Sequence, residues 1–132
     1  MSFASATRYK LINHSTQAVI AISTNDRQLT RYIGGDYPDQ YWFILNFKEK
    51  GFKLMNAFFL GDVIADSNGN LIRYNGDDYP DQYWSIKPAP NNYGYVFTNK
   101  STGRVIADSN GNLIAYKGQD FPDQHWDLFE VH

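Results

Sequence analysis

The sequence predicts an all-β fold built from three repeats of about 42 residues with pseudo-threefold symmetry. Three observations carry that prediction. One phrase occurs three times: Gly-Asp-Tyr-Pro-Asp-Gln-Tyr-Trp at 35–42, Asp-Asp-Tyr-Pro-Asp-Gln-Tyr-Trp at 77–84 and Gln-Asp-Phe-Pro-Asp-Gln-His-Trp at 119–126. Its tryptophans, Trp42, Trp84 and Trp126, are the only three in the chain and stand 42 residues apart. The segments before the last two phrases, 63–74 and 105–116, differ only at Arg73 against Ala115. Finally, no amphipathic stretch of helical period exceeds two turns, and short β-prone runs alternate with turn residues instead.

Taken in order, the repeats run over about 8–47, 52–89 and 93–131, inside a single domain spanning 1–132. The connectors, Lys-Glu-Lys-Gly at 48–51 and Pro-Ala-Pro-Asn-Asn at 88–92, are too short to be domain linkers. In repeat 2 the expected strands are 52–55, 63–65, 71–74 and 82–86, which gives twelve over three repeats. Asn68-Gly69 and Asn110-Gly111 lie between β-prone runs, the strongest short hairpin signal, because both residues accept positive φ. Repeat 1 is degraded here: it runs two residues longer between Val19 and Tyr32, and Ile22 stands where the others have aspartate. One such repeat cannot bury its own apolar face, whereas three can close around a shared centre. The three tryptophans are expected to form a common layer of that centre.

The rest of the composition excludes more than it selects. Net charge is −2 and there is no basic run, so no nucleic-acid partner is expected. Without cysteine, neither a disulfide nor a thiolate metal site is available. His14, His125 and His132 lack metal-ligand spacing, and no Ser/His/Asp constellation is legible. No metal, cofactor or enzymatic activity is therefore expected. The first ten residues lack the charged and apolar regions of a signal peptide. No apolar run approaches the roughly 20 residues that cross a bilayer. The expectation is a cytoplasmic protein, or one released without a signal peptide, with no membrane insertion. Asn13-His-Ser15 and Asn99-Lys-Ser101 fit the glycosylation pattern, but are expected to carry no glycan.

Gln40-Tyr-Trp42, Gln82-Tyr-Trp84 and Gln124-His-Trp126 are Gln-x-Trp motifs, and with them the chain resembles the ricin-B-type β-trefoil lectins over nearly its whole length. The run Asn99-Lys-Ser-Thr-Gly-Arg104, with the Asp-Ser-Asn turn after it, is more loosely similar to actinohivin-type small bacterial lectins. The resemblance implies a β-trefoil and a non-enzymatic, multivalent, carbohydrate-binding lectin. Its sugar sites use an aspartate after the second strand, an aromatic ring on the third, and an amide before the tryptophan. Carried over, the repeat 2 site is Asp66, Asn68, Tyr74, Asp81 and Gln82, and the repeat 3 site Asp108, Asn110, Tyr116, Asp123 and Gln124. Asp26, Tyr32, Asp39 and Gln40 make a weaker or dead site in repeat 1. The chain departs from the family in carrying Asp before each Gln, where Asn is usual.

These residue types suit a pyranose. A carboxylate accepts hydroxyl hydrogen bonds with charge assistance, and a ring covers the sugar's C–H face. Each also has a plainer reading. Asp66 and Asp108 serve as caps for their turns. Tyr74 and Tyr116 are ordinary strand tyrosines. Asp39, Asp81 and Asp123 hold a loop, and the glutamines bond backbone. The partners expected are glycans, of galactose/N-acetylgalactosamine type or mannose type. The alternative functions are a protein-binding trefoil such as a protease inhibitor, or the receptor-binding module of a toxin. The apolar run Ala-Phe-Phe-Leu-Gly at 57–61 occurs only in repeat 2. It is expected to be core, with a homodimer or protein-contact patch as the alternative. Asp77-Asp78 is expected to be a solvated loop.

Overall fold

The computed structural model describes residues 7–131. Twelve strands run through them, four per repeat. Repeat 1 supplies β1 (Arg8–Asn13), β2 (Val19–Ile22), β3 (Leu29–Tyr32) and β4 (Trp42–Asn46). Repeat 2 supplies β5 (Phe52–Asn56), β6 (Val63–Ser67), β7 (Asn70–Tyr74) and β8 (Trp84–Pro88). Repeat 3 supplies β9 (Tyr95–Asn99), β10 (Val105–Ser109), β11 (Asn112–Tyr116) and β12 (Trp126–Val131). The outer strands of each repeat close a ring. β1 pairs with β4, β4 with β5, β5 with β8, β8 with β9, β9 with β12, and β12 returns to β1, all antiparallel. Closure leaves that barrel no open edge. The inner strands form the hairpins β2–β3, β6–β7 and β10–β11, which meet one another through β3, β7 and β11. A six-stranded barrel and three hairpins in threefold arrangement make a β-trefoil.

Turn chemistry sets the hairpins. Ser67 pairs with Asn70 and Ser109 with Asn112, so each loop is two residues, Asn-Gly. Their φ values are 52° and 93° in repeat 2, and 52° and 82° in repeat 3. Two positive φ angles in a row are the turn whose twist matches the flanking strands. In repeat 1 the last strand pair is Ile22 with Leu29, and the connection is longer. It closes through Ser23 N–H to the Gln28 carbonyl and Arg27 N–H to the Ser23 carbonyl.

The fourth strand of each repeat begins at its tryptophan, not at the glutamine two residues before it. Pro80–Gln82 instead forms one turn of 3₁₀ helix, closed by Gln82 N–H to the Tyr79 carbonyl at 3.2 Å. Pro38–Gln40 and Pro122–Gln124 repeat it. The proline has φ fixed and no N–H to give a ladder, so it starts a turn here.

Two sets of ties hold the repeats together. Trp42, Trp84 and Trp126 have no exposed surface and pack with Leu11, Ile44, Leu54 and Phe97 in the core. Burying each ring contributes about 4–6 kcal/mol by area. Within its own repeat each indole N–H also donates to a hairpin carbonyl, of Ile20, Ile64 and Ile106, at 2.8, 2.9 and 2.9 Å. The second set is unexpected from the sequence. Asn13, Asn56 and Asn99 end the first strands and are buried. Each Nδ2 donates across a repeat boundary, to the Asp123, Asp39 and Asp81 carbonyls at 2.8, 2.9 and 2.8 Å. Each Oδ1 accepts the two backbone N–H groups two and three residues on. These amides seat the Pro-Asp-Gln turns against the next repeat.

Candidate functional site

In repeats 1 and 3 a recess lies between the hairpin and its Pro-Asp-Gln turn, and six equivalent positions line both. In repeat 3 a cavity of about 250 Å³ is lined by Ala107, Ser109, Ile114, Tyr116, Phe121 and Asp123. In repeat 1 the equivalent Ala21, Ser23, Thr30, Tyr32, Tyr37 and Asp39 line one of about 620 Å³. The register puts Ala65, Ser67, Ile72 and Tyr74 at the same places in repeat 2, with Tyr79 and Asp81 in its turn. Alternation along the second strand decides which residues face the recess. Ala107 and Ser109 face it, while Ile106 belongs to the core.

Two rings wall the recess. Tyr32 meets Tyr37, Tyr74 meets Tyr79 and Tyr116 meets Phe121 edge to face, with centroids 5.8, 5.7 and 5.9 Å apart. Glycine makes room for the first ring of each pair. A Cβ at Gly34, Gly76 or Gly118 would lie 2.7, 2.7 or 2.6 Å from the Tyr32, Tyr74 or Tyr116 hydroxyl. Any other residue at these three positions would push the ring out of place.

The third component is a carboxylate. Asp39, Asp81 and Asp123 are half-buried. Among the described residues no other side chain donates to any of the three, and each is met by its own backbone N–H. Desolvation pushes all three above the ordinary carboxylate range. The neighbouring charge of Asp66 adds to this for Asp81, and that of Asp108 for Asp123, where His125 opposes it. The surrounding turn is pinned. Gln40, Gln82 and Gln124 are buried and donate to the carbonyls of Gly35, Asp77 and Gln119 at 2.8, 2.8 and 2.9 Å. The plainer reading of the glutamines is the one these bonds match. Asp36 and Asp78 each accept the hydroxyl of Tyr41 or Tyr83 at 2.6 Å, and Asp120 meets His125 Nε2 at 2.9 Å. Asp77 and Asp78 lie exposed in the loop, as expected, and Asp78 is in addition bonded there. Tyr83 and then Lys53 hold its carboxyl down at about 2, while burial and Asp78 push the Tyr83 hydroxyl up to about 12.

Asp66 and Asp108 are placed otherwise than expected. Their side chains have no exposed surface. Asp66 accepts the Gly69 N–H at 2.9 Å, capping its turn, and also the Thr102 hydroxyl and Arg104 Nη1 of repeat 3. Asp108 accepts the Thr16 hydroxyl and a two-pronged Arg31 guanidinium at 2.7 and 3.0 Å, both from repeat 1. Both carboxylates share a strand face with Ile64 and Ile106, opposite the face of Ser67 and Ser109, and so clip one repeat to the next. Asn68 and Asn110 stand exposed at the hairpin tips. Asp26 lies exposed in the repeat 1 loop and accepts the Gln28 N–H at 3.1 Å. In the 57–61 run only Phe59 packs on the core, and Phe58 and Leu60 are 54% and 64% exposed. The residues the sequence analysis missed are Ser23, Ser67 and Ser109, and Tyr37, Tyr79 and Phe121. The last three each precede the proline of the thrice-repeated phrase, which was the available signal.

No family model matches the sequence, and no curated protein matches it. Solved structures do match its shape. BEL, a β-trefoil in an apo crystal form, superposes with a TM-score of 0.86 at 20% identity, covering 97% of this chain and 95% of its own. SeviL, bound to an asialo-GM1 saccharide, gives 0.83 at 18%, covering 96% and 98%. ThreeFoil, a designed threefold-symmetric protein, gives 0.82 at 20%, covering 94% and 99%. The chain shares its β-trefoil fold with them.

Proposed function

We propose that the protein is a non-enzymatic lectin that binds glycans at three related sites, one per repeat. One observation carries this reading: in repeats 1 and 3 a half-buried carboxylate without a side-chain donor lines one cavity with a pair of aromatic rings, and repeat 2 has the same carboxylate and the same ring pair. Asp39, Asp81 and Asp123 accept two vicinal hydroxyls of a pyranose. Tyr32, Tyr74 and Tyr116 cover its C–H face, and the hydroxyls of Ser23, Ser67 and Ser109 are within the recess to complete the contact. Burial makes each carboxylate costly to ionise, and ligand hydroxyls offset that cost. Each site is weak by itself, and several on one rigid body gain by avidity. SeviL, a glycan-bound protein of the same fold, supports the general reading.

A glycan array with galactose/N-acetylgalactosamine-type and mannose-type ligands tests it. Titration calorimetry with the best glycan should then give a stoichiometry near three. Absence of binding to any glycan at high protein density would sink the proposal.

A further inference from the structure

We infer that the repeat 1 recess takes an oligosaccharide of at least two units and that Phe58, a residue of repeat 2, is the platform for the second. The inference rests on the lectin reading. Three features mark this recess. Its cavity is about 620 Å³ against about 250 Å³ in repeat 3, and only the larger falls within the usual 300–1,000 Å³ of ligand pockets. Thr30 stands where Ile72 and Ile114 fill the floor. The longer β2–β3 connection lines the extra space with Thr24, Asn25 and Asp26, where repeats 2 and 3 have a two-residue turn.

Phe58 lines the same cavity from across the repeat boundary and stays 54% exposed. Its place is fixed. Asn56 Oδ1 accepts the Phe58 N–H at 2.9 Å, and Phe59 meets the ring edge to face at 4.8 Å. Phe59 in turn lies under the Arg27 guanidinium at 4.7 Å, and Arg27 pairs with the buried Asp62 at 3.0 Å. A large ring held in solvent at a cavity wall is suited to an apolar sugar face. Ser15 of repeat 1 and Ser101 of repeat 3 stand two residues after Asn13 and Asn99, where Phe58 follows Asn56, so neither of those loops carries a ring at that place.

The double variant Asp81→Asn/Asp123→Asn isolates repeat 1. Calorimetry on it compares the best array glycan as monosaccharide and as disaccharide. The disaccharide should bind about fivefold tighter or more, roughly 1 kcal/mol. Adding Phe58→Ala should bring the ratio of the two Kd values to about one. Circular dichroism confirms that each variant is folded. Equal affinities in the double variant, or a ratio unchanged by Phe58→Ala, overturns the inference while leaving the lectin reading standing. No glycan binding by the unmodified protein overturns both.

Discussion

The junction between repeats 1 and 2 and the other two junctions solve one problem with opposite chemistry. Where repeat 2 meets 3 and repeat 3 meets 1, a buried aspartate accepts a threonine hydroxyl and an arginine: Asp66 with Thr102 and Arg104, Asp108 with Thr16 and Arg31. Where repeat 1 meets 2, the aspartate position holds Ile22, fully buried in the core cluster, and the threonine position holds Phe59, packed on that cluster. An ion pair survives there with its direction reversed, from Arg27 of repeat 1 to Asp62 of repeat 2. A polar clip and an apolar plug therefore fill equivalent seats. Buried ion pairs and well-packed apolar groups are often of similar stability, and the damaging case is one partner alone. The two residues of a seat must therefore match, and Ile22 of repeat 1 faces a seat where repeat 2 carries Phe59 in place of threonine.

The strongest way to break the comparison is Ile22→Asp, which places a carboxylate opposite Phe59 with no threonine to meet it. It should destabilise the fold by about 4 kcal/mol or more, read by urea denaturation. Phe59→Thr added to it should recover part of that loss, and a double variant no more stable than Ile22→Asp would deny the equivalence of the seats. Next in size, Asp108→Ala should cost about 3 kcal/mol, because it strands the two-pronged Arg31. Asp66→Ala should cost less, about 2 kcal/mol, since Arg104 makes a single 3.3 Å contact.

A third test separates clip from site. Asp66→Asn/Asp108→Asn should lower the melting temperature and leave glycan affinity within about twofold. Asp81→Asn/Asp123→Asn should lose about tenfold in affinity at those sites, the value of one charge-assisted bond. The latter pair should not be less stable at neutral pH. Their carboxyls titrate above the unfolded range, so ionisation opposes folding and its cost appears as pH rises through the folded value. Glycan binding has the opposite sign and should fade on acidification at a higher pH than an ordinary carboxylate would dictate. The smallest effect is at Asp78. With its carboxyl held at about 2, its stabilisation is present above the unfolded value of 3.8 and lost as pH falls toward 2. Carbon-detected NMR titration of Asp78 should show that midpoint, and Tyr83→Phe should move it upward.

Much of this architecture was legible in the chain. The tryptophan period gave the repeats, and Asn-Gly gave the hairpins of repeats 2 and 3, because both are local signals with a single geometric solution. The facing of Asp66 and Asp108 was legible in principle and went unread. In a strand the residue two beyond a core isoleucine points the same way, so Ile64 and Ile106 direct their aspartates inward. Asn13, Asn56 and Asn99 recur at 43 residues rather than 42 and sit outside the repeated phrase, which hid them. The depth of the repeat 1 recess depends on Thr30 and on Phe58 of another repeat, a juxtaposition that only the folded barrel produces.

Asn13 and Asn99 also carry a consequence for how the chain is made. Each opens an Asn-x-Ser triplet, and in each the amide nitrogen donates to a carbonyl of another repeat's Pro-Asp-Gln turn. Glycosyl transfer and folding compete for that one atom. A folded molecule offers no acceptor, because both amides are sealed inside. An unfolded chain modified there keeps a bulky, hydrophilic branch on a nitrogen that has to enter the interior, and the barrel seam beside it stays open. A secretory host that glycosylates during synthesis should therefore yield a mixture of sugar-free folded protein and misfolded glycoprotein, in proportions set by which reaction is faster.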